Sequence, residues 1–289
     1  MKALVVEKKS NMFELECNGN KQASLARKNL KEQGIYVGDF VEYDENLKII
    51  EKIYPRKNLF LRPSIANLEK LFIVIAQTPK PDFKIVDKLI LFSLAYGVKP
   101  VLCINKIDIS DNAFLKNVEK IYKNVCPLLF LSAKTSDNLE NLHNQMKGHI
   151  CAFAGQSAVG KSALINKIYN SNITLEGELS KKIQRGKNTT RSAKLYKLEK
   201  NTFIADTAGF SSLSEKFLPV NYFELCYYYP DFLASHVGCK YKSCTHTKES
   251  VEECGVKKSV NLGEIDQNRY ERYLEIFETL KEEFVKNHG

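Results

Sequence analysis

The chain has 289 residues, of which 44% are hydrophobic and 27% charged, a composition typical of a folded protein and not of a disordered one. No apolar run approaches the length of a membrane span, so we expect a cytoplasmic protein that does not work at a membrane. The formal net charge of +9 favours a polyanionic partner, although a basic surface with no partner would give the same charge.

Short β segments at the N-terminus predict a small barrel over residues 1–62. Segments 3–6, 12–17 and 40–43 are apolar or alternating, and Gly- or Asn-containing turns separate them. A five-stranded OB-like barrel fits this size, and any other small β-meander would give the same pattern. Four basic residues can supply an edge that faces RNA: Lys21, Arg27, Lys28 and Lys31.

Alternating strands and helices predict an α/β domain over residues 63–220. Residues 71–76 form an apolar strand, residues 84–96 have helical periodicity, and residues 98–104 form the next strand. The alternation continues to residue 210, which predicts a mostly parallel sheet.

The sequence Asn-Lys-Ile-Asp at residues 105–108 predicts a loop that reads guanine. The Asp108 carboxylate can accept both donors of the guanine edge, whereas adenine would leave this carboxylate unpaired. Asn105 would bond the other edge of the base, and the stem of Lys106 would lie along its face. A solvated turn after a strand gives the same short pattern, so this loop needs support from elsewhere.

That support comes from an apolar strand at residues 128–131, which ends in Ser132, Ala133 and Lys134. A backbone N–H near Ala133 can contact the guanine O6. Both segments follow strands, and both predict the same base site.

Residues 155–162 match the phosphate-loop pattern G-x-x-x-x-G-K-[ST]. An apolar strand precedes the loop at residues 149–154, and a helical pattern follows it, whereas a chance Gly-rich turn would lack these flanks. Backbone N–H groups and the helix N-terminus would cradle phosphates, with Lys161 on the β- and γ-phosphates and Ser162 on Mg²⁺. The predicted nucleotide contacts are Gly155, Gln156, Ser157, Ala158, Val159, Gly160, Lys161, Ser162 and Ala163.

Two switch elements follow the phosphate loop. Asp206 begins a D-x-x-G sequence, in which it would hold Mg²⁺ through water and the Gly209 N–H would sense the γ-phosphate. Upstream, we favour Thr190 over Thr189 as the Mg²⁺ ligand. The position after Gly209 is Phe210, which cannot orient the attacking water, so we expect slow intrinsic hydrolysis unless another residue, a potassium ion or a partner organises that water.

Residues 181–200 carry eight basic residues against one acidic residue and overlap the first switch. We therefore hypothesise that a surface touching RNA phosphates changes with nucleotide state.

Cys239, Cys244, His246 and Cys254 form a C-x4-C-x-H-x7-C pattern that predicts a tetrahedral zinc site. The nearby His236 is a possible substitute ligand. The remaining cysteines are scattered, and a disulfide framework is disfavoured in a cytosolic chain.

An aromatic and aliphatic stripe over residues 265–284 predicts a last helix with one packing face.

The base loop precedes the phosphate loop, the reverse of the usual order, so the chain is similar to the circularly permuted GTPases. Over its whole length it resembles the family of ribosome small-subunit-dependent GTPase A, in residues 155–166, the double threonine 189–190 and the Cys-x4-Cys-x-His cluster. It departs from that family at Asn188, where His is common, at Ala208, where Pro is usual, and in a longer spacing between His246 and Cys254. The last departure makes Cys254 the least secure ligand.

The resemblance implies an α/β fold: a circularly permuted P-loop GTPase domain with an N-terminal OB-like barrel and a mainly helical, zinc-binding C-terminal domain, residues 221–289. It implies a monomeric GTP hydrolase, with GTP/GDP, Mg²⁺ and one structural Zn²⁺. Such a protein binds the small (30S) ribosomal subunit and its rRNA, assists late maturation and is stimulated by the subunit. The alternatives are a nucleotide-gated RNA-binding module with negligible hydrolysis, and an ATP-using P-loop enzyme in which Asp108 has no role.

Overall fold

One continuous sheet of 11 strands runs through the N-terminal barrel and the central domain. The computed structural model describes residues 1–61, 63–171, 193–206 and 218–288. Within these ranges, no helix combines the length and the apolar character needed to cross a membrane.

The N-terminal part is a closed five-stranded barrel, as predicted. Its strands pair in the order β1-β2-β3-β5-β4, and β4 pairs back with β1. A short helix, α1 (Lys28–Gln33), connects β3 to β4, and alternate side chains such as Val5, Leu15 and Val41 fill the interior. The strands are β1 (Lys2–Lys9), β2 (Met12–Cys17), β3 (Asn20–Ala26), β4 (Phe40–Asp44) and β5 (Ile49–Ile53).

A hairpin of β6 (Leu59–Leu61) and β7 (Ser64–Ala66) leads into the central sheet, whose strand order is β10-β9-β8-β11-β13. These five strands are parallel, and β12 (Lys194–Glu199) adds an antiparallel neighbour to β13. Their carboxyl ends share one edge, where such sheets bind ligands. The parallel strands are β8 (Lys70–Ile75), β9 (Lys99–Ile104), β10 (Leu128–Phe130), β11 (Ile150–Ala154) and β13 (Thr202–Asp206).

Helices cover both faces of this sheet, because the strands are apolar on both sides. Helices α2 (Phe83–Ala95) and α3 (Asn112–Tyr122) pack on one face, and α4 (Leu139–Met146) and α5 (Lys161–Ser171) pack on the other. The predicted α/β architecture is therefore confirmed.

Strand β12 joins the central sheet to the barrel. Lys194 pairs across the sheet with Asp206 on one side and with Glu7 of β1 on the other. The Lys194 Nζ lies 2.8 Å from Glu7, and the Lys197 Nζ lies 2.6 Å from Glu16. Two lysines of the basic run thus form ion pairs with the barrel, whereas residues 181–192 lie outside the described residues.

The C-terminal part is mainly helical. After a 3-10 segment at Tyr222–Tyr228, it contains α6 (Pro230–His236), α7 (Gly255–Asn261) and α8 (Gln267–His288). The stripe predicted for the last helix is confirmed as a packing face, since four of its members are buried against α6 and the 3-10 segment: Tyr270, Tyr273, Phe277 and Leu280.

A buried ionic network ties this C-terminal part to the sheet. Asp87 of α2 accepts from both Arg269 and Arg272 of α8 and from the Tyr122 hydroxyl. Arg269 also pairs with Asp231 of α6 at 2.7 Å. The side chains of Asp87 and Arg269 are 0% and 2% exposed, so each charge depends on its partners for solvation.

We expect the substitution Arg269→Met to lower the free energy of unfolding by about 3–5 kcal/mol, because it leaves Asp87 and Asp231 buried without their shared cation. Urea denaturation followed by circular dichroism measures this loss. Lys84→Met, in the exposed Lys84–Glu275 pair between the same two helices, is the matched control and should cost about 1 kcal/mol or less. Equal losses for the two variants would contradict the assigned importance of the network.

Candidate nucleotide site and metal cluster

The phosphate loop lies at a strand-to-helix turn, as the pattern predicts. Strand β11 ends at Ala154, and α5 begins at Lys161. Gly155 and Gly160 have φ angles of 131° and 98°, which β-carbon-bearing residues rarely adopt. A Cβ at Gly155 would lie 2.2 Å from the Val74 carbonyl oxygen of β8, so the neighbouring strand also requires glycine at this position.

The Lys161 side chain lies against the phosphate loop. Its Nζ donates to the carbonyl oxygens of Gly155 at 2.8 Å and of Gln156 at 2.5 Å. Partial burial lowers the pKa of Lys161. Ser162 and Ala163 are exposed in the first turn of α5, where backbone N–H groups have no intrahelical acceptor. A lysine, a hydroxyl and the backbone N–H groups of one helix N-terminus suit a phosphate with its metal ion.

Asn105 connects three loops through one buried side chain. Its Nδ2 donates to the Val159 carbonyl oxygen of the phosphate loop at 2.9 Å, and its Oδ1 accepts from the Ala133 N–H at 3.1 Å. The two predicted base segments and the phosphate loop are therefore in direct contact. The Ala133 N–H already donates to Asn105, so a contact with guanine O6 would have to share that hydrogen. This contact and the contact of Asn105 with the base both stay predictions.

Lys106 and Asp108 occupy the rest of the base loop. The Lys106 Nζ donates to the carbonyl oxygens of Thr78 at 2.8 Å and Ala158 at 2.9 Å, so it holds the base loop against the phosphate loop. Asp108 is exposed at the sheet edge, and its Oδ1 accepts from the Ser132 hydroxyl at 2.6 Å. Ser132 also accepts from the Lys134 N–H at 3.2 Å, which orients the hydroxyl toward the carboxylate.

Two contacts at this site have no signature in the sequence. The Asp82 N–H, at the N-cap of α2, donates to the Gln156 side chain at 2.9 Å. The Thr78 carbonyl oxygen accepts a hydrogen bond from the Lys106 Nζ. Both contacts use backbone atoms of the segment after β8, and side-chain identity does not reveal where such atoms lie.

The second switch is described only at its first residue. Asp206 ends β13, the strand beside the one that leads into the phosphate loop. Gly209 and Phe210 lie outside the described residues, as do Asn188, Thr189 and Thr190, so their predicted roles stay predictions.

Cys239, Cys244, His246 and Cys254 come together, with one ligand atom of each within 4.8 Å of the others. The Nδ1 of His246 lies 3.7, 3.3 and 3.4 Å from the sulfurs of Cys239, Cys244 and Cys254. Cys254 joins the group despite its longer spacing. Burial lowers the pKa of His246 to about 4, which keeps the imidazole neutral and able to bind a metal. The group can hold one tetrahedral metal ion.

His236, the possible substitute ligand, is not one of the four ligands in this arrangement. Its Nδ1 lies 3.1 Å from the Nε2 of His246, on the side of the ring away from the sulfurs. Within the described residues, the other group with metal-ligand spacing is Cys226, His236 and His246, which shares His246 with the first.

A family model for the RsgA GTPase matches residues 53–216 of the chain. The chain belongs to the RsgA GTPase family. Its relatives include the Small ribosomal subunit biogenesis GTPase RsgA of Thermotoga neapolitana, 36% identical over 294 residues that cover 96% of each chain. The protein of that name from Ruminiclostridium cellulolyticum is 37% identical over 244 residues, which cover 84% of this chain and 78% of the relative.

Solved structures agree with this assignment. The crystal structure of YjeQ from Thermotoga maritima superposes with a TM-score of 0.80 at 34% identity, covering 96% of this chain and 98% of that one. YloQ, a circularly permuted GTPase, has a TM-score of 0.77 at 24% identity, which shows a shared fold. The predicted family and the circularly permuted fold are confirmed, and the chain is a GTPase.

Proposed function

We propose that this RsgA-family GTPase binds the small ribosomal subunit through rRNA, assists its late maturation and hydrolyses GTP when the subunit stimulates it. The two hydrogen bonds of the Asn105 side chain support the nucleotide part of this proposal, because they hold both base segments against the phosphate loop. The names of the relatives and the net charge of +9 support the ribosomal partner. We expect a cytoplasmic monomer.

In this proposal, Asp108 selects guanine and the Ser132 hydroxyl orients its carboxylate. The reaction is phosphoryl transfer to water, and Lys161 moves from its carbonyl partners to the β- and γ-phosphates, where it offsets the developing charge. Ser162, Thr190 and Asp206 would hold Mg²⁺, which supplies further charge neutralisation when bound, and Gly209 would contact the γ-phosphate.

Zinc would be held by Cys239, Cys244, His246 and Cys254 in a closed structural site. Three thiolates and one imidazole are the ligands of such sites, and four protein ligands would complete a tetrahedral shell. The metal would fix the turn between α6 and α7, so its contribution is to the folding of the C-terminal domain.

GTP turnover with and without salt-washed small ribosomal subunits tests the proposal, with ATP in parallel. We expect subunits to raise the GTP rate about tenfold or more and to leave the ATP rate unchanged, because Phe210 cannot orient water and, in this proposal, the subunit organises that water. The stimulation should decline as salt screens the RNA contacts. Lys161→Ala should remove the stimulated rate. Equal, low rates in every reaction would instead favour a nucleotide-gated RNA-binding module.

A further inference from the structure

The two ring nitrogens of His246 have different surroundings. Nδ1 faces the sulfurs of Cys244, Cys254 and Cys239 at 3.3, 3.4 and 3.7 Å. Nε2 points the other way and lies 3.1 Å from Nδ1 of His236. The His246 side chain is fully buried, so Nε2 has no contact with bulk solvent.

This arrangement determines where the proton of His246 lies. A lone pair on Nδ1 directed at a metal leaves the ring hydrogen on Nε2, and a buried N–H needs an acceptor. Neutral His236, with its own hydrogen on Nε2, offers the Nδ1 lone pair at hydrogen-bond distance.

We propose that His236 is a positioning residue for the metal site: it accepts the hydrogen bond from His246 Nε2, fixes the ring in the Nδ1-ligating orientation and so sets how tightly the chain holds its ion. This inference rests on the metal site of the proposed function. It adds a residue outside the predicted four-ligand set.

The surrounding contacts show why the ring needs this anchor. His246 has a φ of 59°, a left-handed conformation that the tertiary structure must maintain. The Tyr270 hydroxyl donates to the His246 carbonyl oxygen at 2.6 Å and so holds the backbone. The ring has an edge contact with Phe232 at 6.0 Å between centroids, which limits its tilt without selecting a nitrogen. Of these three contacts, the one with His236 is made by a ring nitrogen, so it favours a hydrogen on Nε2.

A second metal ion at Cys226, His236 and His246 is the competing explanation for the same contact. With the first site filled, that ion would require His246 to lose its remaining ring proton and act as a bridge between two metals. It would also require the buried Cys226 thiol to lose its proton. A hydrogen bond needs neither ionisation, and the 3.1 Å separation lies in the ordinary range for one.

Competition for zinc with a chromogenic chelator, using the full chain, tests the proposal. His236→Phe keeps an aromatic ring at this position and removes the acceptor, and we expect zinc affinity to fall about 10- to 100-fold. His236→Asn places an amide oxygen near the position of Nδ1 and should recover most of the loss. Tyr227→Leu is the packing control: it removes a ring that lies 5.8 Å from the His236 ring, and it should leave zinc affinity unchanged.

Nitrogen-15 NMR of His246 gives a second readout that packing alone would not change. We expect the zinc-loaded native chain to show a metal-bound Nδ1 and a protonated Nε2. Binding of fluorescent GDP checks that each variant is folded, because the nucleotide site lies in the other domain.

Three results would overturn the inference: unchanged zinc affinity in His236→Phe, a metal-bound Nε2 of His246, or two zinc ions per native chain that fall to one in Cys226→Ser. A native chain that binds no zinc would overturn the metal site together with the inference and would leave the GTPase assignment intact. Absence of subunit stimulation would contradict the ribosomal proposal without affecting any of these readouts.

Discussion

Replacing Asp108 with Asn is expected to lower the affinity for GDP and GTP about 100-fold or more and to raise the affinity for xanthine nucleotides. The carboxylate that accepts from both guanine donors becomes an amide that offers a hydrogen where guanine also offers one. Xanthine carries an oxygen in place of the exocyclic amine and can accept from that amide. Titration of the full chain with fluorescent GDP and XDP measures both changes.

The matched control is Glu119→Gln, which removes the same charge from an exposed position on α3. It should leave the affinities for both nucleotides unchanged, so any general effect of net charge is separated from base recognition. An Asp108→Asn variant that binds GDP as the native chain does would mean that another group reads the base, and the ATP-using alternative would then need to be considered again.

Replacing Gly160 with Ala is expected to weaken nucleotide binding strongly while the rest of the chain stays folded. Gly160 has a φ of 98°, and an added Cβ would lie 2.2 Å from Nδ2 of Asn105. The Asn105 amide would have to move and give up its bonds to the Val159 carbonyl and the Ala133 N–H. Loss of two buried hydrogen bonds with added backbone strain corresponds to a fall in GDP affinity of about 100-fold or more.

Gly97→Ala provides the comparison, because Gly97 has a φ of 68° and its added Cβ would meet no heavy atom within 4 Å. This variant carries backbone strain of about 1–2 kcal/mol without a steric clash. We expect it to bind GDP like the native chain in isothermal titration calorimetry. If the two variants bound equally well, contact between the base and phosphate loops through Asn105 would not be necessary for binding.

The local features of the chain could be predicted from its sequence. The strand–turn–helix of residues 149–169, the OB-like barrel and the packing face of the last helix follow from periodicities and turn residues that act between near neighbours. The reversed order of base loop and phosphate loop is also explicit in the sequence, and it indicates the circular permutation that the structure shares with YloQ. Cysteine and histidine spacing likewise predicted the metal cluster.

The contacts that assemble the sites could not be predicted in this way. Asn105 bonds to Val159, which lies 54 positions later in the chain, and to Ala133, which lies 28 positions later. Arg269 bonds to Asp87 across 182 positions. Lys194 and Lys197, predicted within an RNA-facing basic run, pair with barrel glutamates because β12 lies beside β1 in the sheet. His236, the last residue of α6, meets Nε2 of His246 in the segment between α6 and α7. A residue type and its spacing set the chemistry that is available, whereas strand order, register and helix packing decide which distant groups come within hydrogen-bond distance.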